Sequence, residues 1–364
     1  MPIGLLTDIA ASFHISEAAT GVMISVYAWG VMLLSLPLMV FASRFDLRRL
    51  LLAVIALFAC GQFLSAVAPT FLILVLARLV VAAAHAIFWS IASVMAARLV
   101  DVEHGALALS MIATGSSIAQ IFGLPLGRAI GLAVGWRMTF CVAGAVSAAI
   151  FVYQAVVFPV MPAGERFTLG QLPSLLRNRV LLALYAVTIF MSCSYYVGYS
   201  YIEPFLQQVA HLDAAVITMA LTVFGFAGLL GSVSFSRFFD GHRFGFLFSM
   251  IGGLALSLLL MQAASFSLAS VFALCVLWGL CATAFNVAFQ AEVISFTQAS
   301  ASAVAMSIFS GLFNLGIGCG TAIGGAVVSR GAIAGIGYVG AGIGAVGVIC
   351  TVAWLFPAIK RARG

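Results

Sequence analysis

Long apolar runs, each about twenty residues, alternate with short polar segments along the whole chain. A run of that length rises about 30 Å as an α-helix and can cross the hydrocarbon core of a bilayer. The pattern predicts complete spans at residues 23–41, 50–67, 71–97, 106–132, 138–158, 180–205, 216–235, 245–264, 268–290, 303–328 and 333–356. Residues 1–13 are apolar but too short to span. We therefore expect an all-α integral membrane protein with eleven complete spans and a fragment of a first one.

Composition agrees with a membrane protein. Of the 364 residues, 64% are hydrophobic and 7% are charged, whereas soluble domains carry about 25% charged residues. The net charge of +6 comes from dispersed basic residues, which argues against a nucleic-acid partner. The seven cysteines lie in apolar runs without a C-x-x-C pair, so we expect neither a disulfide framework nor a metal site. The expected partner is the lipid bilayer.

Basic residues are concentrated in the loops of one side of the predicted topology. Loops on cytoplasmic sides carry the excess of Lys and Arg, so this side is expected in the cytoplasm, together with the linker and the C-terminus. The residues on this side are Arg44, Arg48, Arg49, Arg98, Arg166, Arg177, Arg179, Arg237, Arg243, Lys360, Arg361 and Arg363. The other side holds Arg128, Arg137 and Arg330.

The two halves of the chain repeat one another. Residues 123–128 (GLPLGR) align with 320–325 (GTAIGG), and residues 43–49 align with 236–243. The offset predicts an N-terminal helix bundle at 1–158, a cytoplasmic linker at 159–179 and a C-terminal bundle with a short basic tail at 180–364. Parallel repeats of this kind build transporters whose site lies between the halves, near the bilayer midplane.

The same alignment predicts that most of the first helix is missing. Pro2 matches Pro204, which lies close to the end of the span that begins near residue 180. We therefore expect either a start codon placed too late or a truncated copy. The first alternative predicts an in-frame apolar segment in the DNA upstream of Met1.

One predicted span carries unusual polar residues. Arg78, His85 and Trp89 fall on one face of the helix expected at 71–97. Both ionisable groups are costly in hydrocarbon, so they should face protein or a watered cavity and mark a functional site. Alternatively, Arg78 only binds the backbone carbonyls of neighbouring helices and Trp89 packs in an ordinary interface.

Seven segments together resemble the major facilitator superfamily, more closely its drug and sugar proton antiporters, and within them the sugar efflux group of arabinose and IPTG exporters. The segments are PIGLLTDIA (2–10), YAW (27–29), AHAIFWS (84–90), GLPLGR (123–128), GWRMTF (135–140), YSYIEP (199–204) and FSGLFN (309–314).

The resemblance implies the major facilitator fold, with two six-helix bundles that work by alternating access. It also implies proton-coupled export of sugars or sugar analogues from a bacterial cell through its inner membrane. The energy source would be the proton gradient, without a cofactor, and we expect a monomer. Alternatives are export of chloramphenicol-like drugs or a truncated, non-transporting paralogue.

No enzyme is expected, since no nucleophile–base pair, metal-ligand cluster or phosphate-binding loop is visible in the sequence. A channel is disfavoured because no repeated filter segment is visible.

The resemblance assigns two mechanical motifs. Gly123, Pro125 and Gly127 match the antiporter motif, in which proline bends the helix and glycines allow close packing; an ordinary proline kink is the alternative. The loop with Arg44, Asp46 and Arg49 matches a cytoplasmic charge latch but lacks the usual glycines. A solvated loop that only sets orientation explains the same charges.

The expected proton-coupling residues are Arg78, His85 and Glu203. Arg78 matches the family's arginine in the fourth span, while His85 and Glu203 can change charge near neutral pH if their surroundings tune them. An interfacial, water-exposed carboxylate is the alternative for Glu203.

The expected substrate contacts are aromatic or amide side chains. Amides and hydroxyls bond sugar hydroxyl groups, and aromatic rings cover the apolar face of a sugar; hydrogen bonding between helices is the alternative. The residues are Tyr27, Trp29, Trp89, Gln120, Tyr195, Tyr199, Asn286, Gln290 and Asn314.

Overall fold

A computed structural model describes residues 2–42, 45–101, 105–160, 172–298 and 301–363, and all regular structure within these ranges is helical. In the N-terminal half the helices are α1 (Leu6–Phe13), α2 (Glu17–Ala42), α3 (Leu47–Val67), α4 (Phe71–Arg98), α5 (Gly105–Val134) and α6 (Trp136–Val157). Helix α7 (Leu172–Arg177) lies in the expected linker. The C-terminal half contains α8 (Arg179–Tyr199), α9 (Ile202–Gln208), α10 (Ala214–Phe238), α11 (Arg243–Leu259), α12 (Met261–Ala264), α13 (Leu268–Ser295), α14 (Ser302–Ser329), α15 (Ile336–Cys350) and α16 (Phe356–Arg363).

Helix length and composition confirm the membrane class. Within the described ranges, nine helices are long and apolar enough to cross a membrane. Three shorter apolar stretches accompany them at Ile3–Phe13, Phe122–Val134 and Arg243–Leu259. The expected span at 245–264 is divided between α11 and α12, and the number of eleven spans stays a prediction.

Polar side chains in the loops begin several of the helices. Asp46 caps α3 by accepting a hydrogen bond from the Arg49 backbone N–H, and Asp213 caps α10 through the Val216 N–H. Asn178 does the same at the start of α8. A cap satisfies backbone donors that the first turn of a helix leaves free. The polar breaks between apolar runs therefore also fix where helices begin.

The helices of each half pack mainly among themselves. In the N-terminal half α3 packs on α4 and α6, and α2 packs on α4. In the C-terminal half α8 packs on α14 and α15, while α13 packs on α10 and α11. The most extensive contacts between the halves are those of two helix pairs, α2 with α14 and α5 with α10, and α9 also contacts α1. A site between the halves is therefore bordered mainly by these helices.

Contacts near the ends of α3 and α6 define two ends of the molecule. Arg48, at the start of α3, donates to the carbonyl of Ala155 near the end of α6 at 2.6 Å. At the other end, Arg137 donates to the carbonyl of Ala68, just beyond α3, at 3.1 Å. We call the end with Arg48 and α7 the linker end, and the end with Arg137 the opposite end.

Candidate functional site

A buried ion pair joins the two halves at the opposite end. Arg128 lies near the end of α5, and Glu203 lies in the first turn of the short helix α9. The guanidinium Nη1 pairs with the Glu203 Oε1, and both side chains are only 3% exposed. Separating the halves at this end would break the pair.

Three further groups complete the hydrogen bonding of this pair. Arg128 also donates from Nη1 to the Gly4 carbonyl and from Nε to the Thr218 hydroxyl at 3.2 Å. The Leu6 backbone N–H donates to Glu203 Oε2 at 2.8 Å. A buried ion pair is tolerated only when such bonds satisfy its remaining donors and acceptors. The Arg128–Glu203 pair therefore ties α5, α9 and α10 to the segment before α1.

The location of these two residues alters the interpretation of both. Glu203 is 2% exposed, so the alternative of a water-exposed carboxylate does not describe it. Arg128 belongs to the GLPLGR segment and to the basic residues of the sparse side, but no role for it was predicted from the sequence. The signal was available, because opposite charges fall inside the spans expected at 106–132 and 180–205. Intramembrane charges call for a partner.

A second polar contact between the halves lies nearer to solvent. The Glu17 carboxylate accepts from Gln208 Nε2 at 2.9 and 3.0 Å, and from the Thr7 hydroxyl at 3.0 Å. These residues line an open cavity of about 450 Å³ together with Ser16 and Ser329. The opposite end thus has a buried ionic contact and a more exposed polar one.

Tyr201 fills the space between α2 and α14 at the same end. Its side chain is fully buried, and its hydroxyl donates to the Thr321 carbonyl at 3.1 Å. Gly21 on α2 and Gly325 on α14 both face this hydroxyl so closely that a Cβ atom at either position would overlap it. The two glycines therefore allow the halves to close around the phenol.

Arg78 and His85 lie in one hydrogen-bonded and aromatic cluster within the N-terminal half. Arg78 is 8% exposed, donates to Gln62 Oε1 at 3.2 Å and lies 5.1 Å from the centre of the Tyr27 ring. The Tyr27 hydroxyl lies 2.9 Å from His85 Nδ1. Tyr27 therefore bridges the fixed cation and the titratable imidazole. Gln62 is a member that sequence reasoning missed, although it is a lone amide in an apolar run.

The two expected tryptophans have different surroundings. Trp89 is 42% exposed, and its ring lies 6.3 Å from the His85 ring. Trp29 packs across the interface against Gly318 of α14, where an added Cβ atom would overlap the indole. Trp29 therefore contacts the other half directly, whereas Trp89 extends the His85 cluster.

Aromatic rings form a matching cluster in the C-terminal half. Tyr195 and Tyr199 are stacked with 4.7 Å between ring centres, and Tyr199 also stacks on Phe224 at 5.2 Å. Trp278 meets Tyr195 edge-on and is fully buried. The two tyrosines on α8 thus belong to one aromatic wall.

The expected amides are engaged within their own helices. Gln290 Nε2 donates to Asn286 Oδ1 at 2.5 Å on α13. Asn314 Nδ2 donates to the Ser310 carbonyl one turn back on α14 at 2.9 Å. Gln120 lies in α5, but its side chain is outside the described residues. The hydrogen-bonded Asn286–Gln290 pair retains free donors and acceptors.

The structure describes most of the residues in the two motifs given by the resemblance. Helix α5 continues through Pro125, and the space beside Gly123 is open. The Gly127 carbonyl accepts from the Thr139 hydroxyl of α6 at 2.9 Å. Close packing at this motif therefore involves the N-terminal half's own α6.

Of the expected latch residues, Asp46 and Arg49 lie at the linker end. Arg44 is outside the described residues. The Asp46 carboxylate accepts from the backbone N–H of Arg49 at 2.9 Å, so in this conformation it caps α3.

Comparison with known proteins identifies relatives over almost the whole chain. The sequence model of the Major Facilitator Superfamily matches residues 1–240 and 184–364. A protein of Mannheimia succiniciproducens named "Probable sugar efflux transporter" is 40% identical over 349 residues, which cover 96% of this chain and 88% of that protein.

Solved structures share the fold at low sequence identity. The nucleoside transporter NupG has a TM-score of 0.75 at 14% identity, covering 97% of this chain and 94% of the transporter. A bacterial homologue of the human lysosomal transporter Spinster, in an inward-facing and occupied conformation, has a TM-score of 0.68 at 18% identity, covering 98% and 90% of the two chains.

Proposed function

Because this chain belongs to the major facilitator superfamily, we propose that it exports sugars or sugar analogues from the bacterial cell through the inner membrane, coupled to proton entry. The observation that carries the substrate class is the 40% identity over 96% of the chain to a protein named a probable sugar efflux transporter. The linker and C-terminal tail lie in the cytoplasm in this proposal, since their side is rich in Arg and Lys.

Alternating access requires one end to close while the other opens. In the proposal two six-helix bundles, 1–158 and 180–364, rock about the α2–α14 and α5–α10 contacts. In this proposal three contacts hold the opposite end closed. They are the Arg128–Glu203 ion pair, the Glu17–Gln208 hydrogen bonds and the Tyr201 side chain packed between α2 and α14. These contacts would form the external gate of the exporter.

Proton coupling in the proposal uses Arg78, His85 and Glu203. Tyr27 links the two side chains, because its hydroxyl is within hydrogen-bond distance of His85 Nδ1 and its ring contacts the Arg78 guanidinium. Protonating His85 places a second cation beside Arg78, so the cluster must rearrange or bind an anion or a dipole. Protonating Glu203 removes the charge that holds Arg128 across the interface. Each event changes the balance between the two conformations.

Substrate binding in the proposal uses both halves. The tyrosines at 195 and 199 offer an aromatic wall for the apolar face of a sugar, and Asn286 with Gln290 offers amide groups for its hydroxyls. Tyr27 and Trp89, whose rings both lie near the His85 ring, are the proposed contacts from the N-terminal half. Trp29, Gln120 and Asn314 are the remaining proposed contacts.

The direct test measures accumulation of labelled IPTG and arabinose in cells that express the chain. We expect lower accumulation than in cells with an empty vector, and we expect a protonophore to abolish the difference. The Gln290→Ala variant should weaken export, while Gln298→Ala, an exposed amide beyond the end of α13, serves as its matched control.

Three outcomes would count against the proposal. Unchanged accumulation of both sugars with a protein that is present in the membrane would contradict the substrate class. Export that survives the protonophore would contradict proton coupling. Lower accumulation of chloramphenicol without an effect on either sugar would replace sugars by drugs as the substrate.

A further inference from the structure

The open cavity at the opposite end has a role in the proposed function only through the one contact that crosses it. We call it the Glu17 cavity. It has a volume of about 450 Å³, and its polar lining consists of Thr7, Ser16, Glu17, Gln208 and Ser329. Sites for small molecules typically occupy about 300–1,000 Å³. The Glu17 cavity is therefore large enough to hold a small sugar.

The walls of the Glu17 cavity come from both halves of the chain. Thr7 lies in α1, and Glu17 begins α2 in the N-terminal half. Gln208 ends α9 and Ser329 ends α14 in the C-terminal half. The hydrogen bonds from Gln208 Nε2 to the Glu17 carboxylate, at 2.9 and 3.0 Å, cross from one wall to the other. Separating the halves at this end would divide the cavity, so a ligand that contacts both walls favours the closed end.

The polar groups of the lining keep unused capacity for hydrogen bonds. The hydroxyls of Thr7 and Ser329 donate to Glu17 and to a backbone carbonyl, and their oxygens can still accept. The Ser16 hydroxyl accepts from a backbone N–H and can still donate. Gln208 adds an amide oxygen and a second N–H. This mixture of donors and acceptors suits hydroxyl groups, which both donate and accept.

The charge of the lining selects among hydroxyl compounds. Among the described residues that line the cavity, Glu17 alone is charged. Its carboxylate can accept strong hydrogen bonds from sugar hydroxyls, whereas it repels phosphorylated or acidic sugars. Because the cavity is open, water competes for the same groups and binding is weak. The chemistry fits a neutral sugar present at high concentration.

We propose that the Glu17 cavity is a second, low-affinity site for neutral sugars, and that a sugar bound there holds the opposite end closed. Binding in the cavity stands independently of transport, whereas its consequence rests on the proposed function. An exporter must open this end to release its cargo. Sugar that accumulates outside therefore slows further export through the Glu17 cavity.

The direction of the conformational change separates this site from the transport site. A ligand shifts a conformational equilibrium only through its different affinities for the two states. A sugar that enters the transport site from outside needs the opposite end open, so it favours the open state. A sugar in the Glu17 cavity contacts both halves and favours the closed state.

The first test measures shielding of the cavity and needs no transport. Ala11→Cys in the N-terminal wall or Ser329→Cys in the C-terminal wall is introduced into a protein without its native cysteines, purified in a detergent that has no sugar headgroup. Arabinose or IPTG should slow alkylation of either cysteine by a maleimide, by about tenfold when the sugar is at about ten times its dissociation constant. Ala332→Cys, exposed just beyond α14, is the matched control and should react at an unchanged rate.

Two further changes locate the protection. Ala11→Leu fills the cavity, so in the Ser329→Cys protein it should abolish protection by sugar. Gln290→Ala alters the proposed transport site and should leave the protection in place. Gluconate, an anionic relative of the sugars, should protect far less than arabinose because Glu17 repels it.

Four results would overturn the site. They are sugars that protect neither cavity cysteine, equal protection of Ala332→Cys, protection that survives Ala11→Leu, and protection by the cation choline in place of the sugars. The last of these would assign the cavity to cations.

The second test follows the distance between the halves. Spin labels at Ala133 in α5 and Ala215 in α10, both exposed near the opposite end, are attached in the same background without native cysteines. Glu203→Gln is included because loss of the ion pair is expected to populate the open state. Arabinose should raise the closed-to-open ratio in this variant, and Ala11→Leu should remove the effect. A closed fraction that falls when arabinose is added would overturn the proposal.

A third measurement connects the cavity to transport. In proteoliposomes, external arabinose should slow the export of labelled IPTG driven by a proton gradient. Ala11→Leu should remove this inhibition, measured as the ratio of export rates with and without arabinose. If the unmodified protein exports neither IPTG nor arabinose, the proposed function fails, and cysteine protection still decides the site. Inhibition of equal size in Ala11→Leu would overturn the effect of the cavity on export.

Discussion

The Arg128–Glu203 pair allows a quantitative prediction about the closed end. Removing one member of a buried ion pair costs about 3–5 kcal/mol, because the other charge is left without a partner. The cost of Glu203→Gln should lie near the lower limit of this range, because the Gly4 carbonyl and the Thr218 hydroxyl still bind the Arg128 guanidinium. The cost of Arg128→Met should lie near the upper limit, because Glu203 then keeps only its hydrogen bond from the Leu6 N–H.

These energies predict large changes in conformation. Each 1.4 kcal/mol changes an equilibrium tenfold, so about 3 kcal/mol shifts the open-to-closed ratio by roughly a hundredfold. The double variant Arg128→Met/Glu203→Gln should recover much of the loss, because it leaves neither charge of the pair buried. The interaction between the two changes should therefore be strongly non-additive.

Spin-label distances between Ala133 and Ala215 provide the assay. We expect a short distance in the unmodified protein, longer distances in both single variants and an intermediate distribution in the double variant. Single variants that keep the short distance, or a double variant that simply adds the two losses, would refute the reasoning. Either result would mean that the pair does not hold the end closed.

Three further predictions concern single contacts. Gly21→Ala should destabilise the closed end by about 1–3 kcal/mol, because its Cβ overlaps the Tyr201 hydroxyl; the distance assay should show opening, and Tyr201→Phe should partly reverse it. Tyr27→Phe removes the hydrogen bond to His85. In proteoliposomes we therefore expect IPTG export driven by a proton gradient to fall more than the exchange of labelled for unlabelled IPTG. Equal losses of both activities would argue against proton coupling through this cluster. Asp46→Ala removes the cap of α3 and should lower the free energy of unfolding by about 1 kcal/mol, measured by thermal unfolding. It should also slow transport without abolishing substrate binding. Unchanged transport would exclude a latch.

Much of the architecture could be read from local patterns. Each apolar run must satisfy its backbone hydrogen bonds internally in lipid, so a run of sufficient length is a helix whatever surrounds it. The same reasoning singled out Arg78 and His85, because ionisable groups seven residues apart on one helix face need shelter from lipid. The structure gives them shared contacts with Tyr27, which lies 58 residues away from His85.

Other features depended on how the halves dock. Arg128 pairs with a residue 75 positions away, and Glu203 binds a backbone N–H 197 positions away. Helical periodicity specifies which face of one helix is polar, but it carries no information about which distant face lies opposite. The apolar pattern alone therefore determined a bundle of membrane helices. The packing of the two halves decided which charges meet, because a charge needs an opposite partner only where docking removes both of them from water.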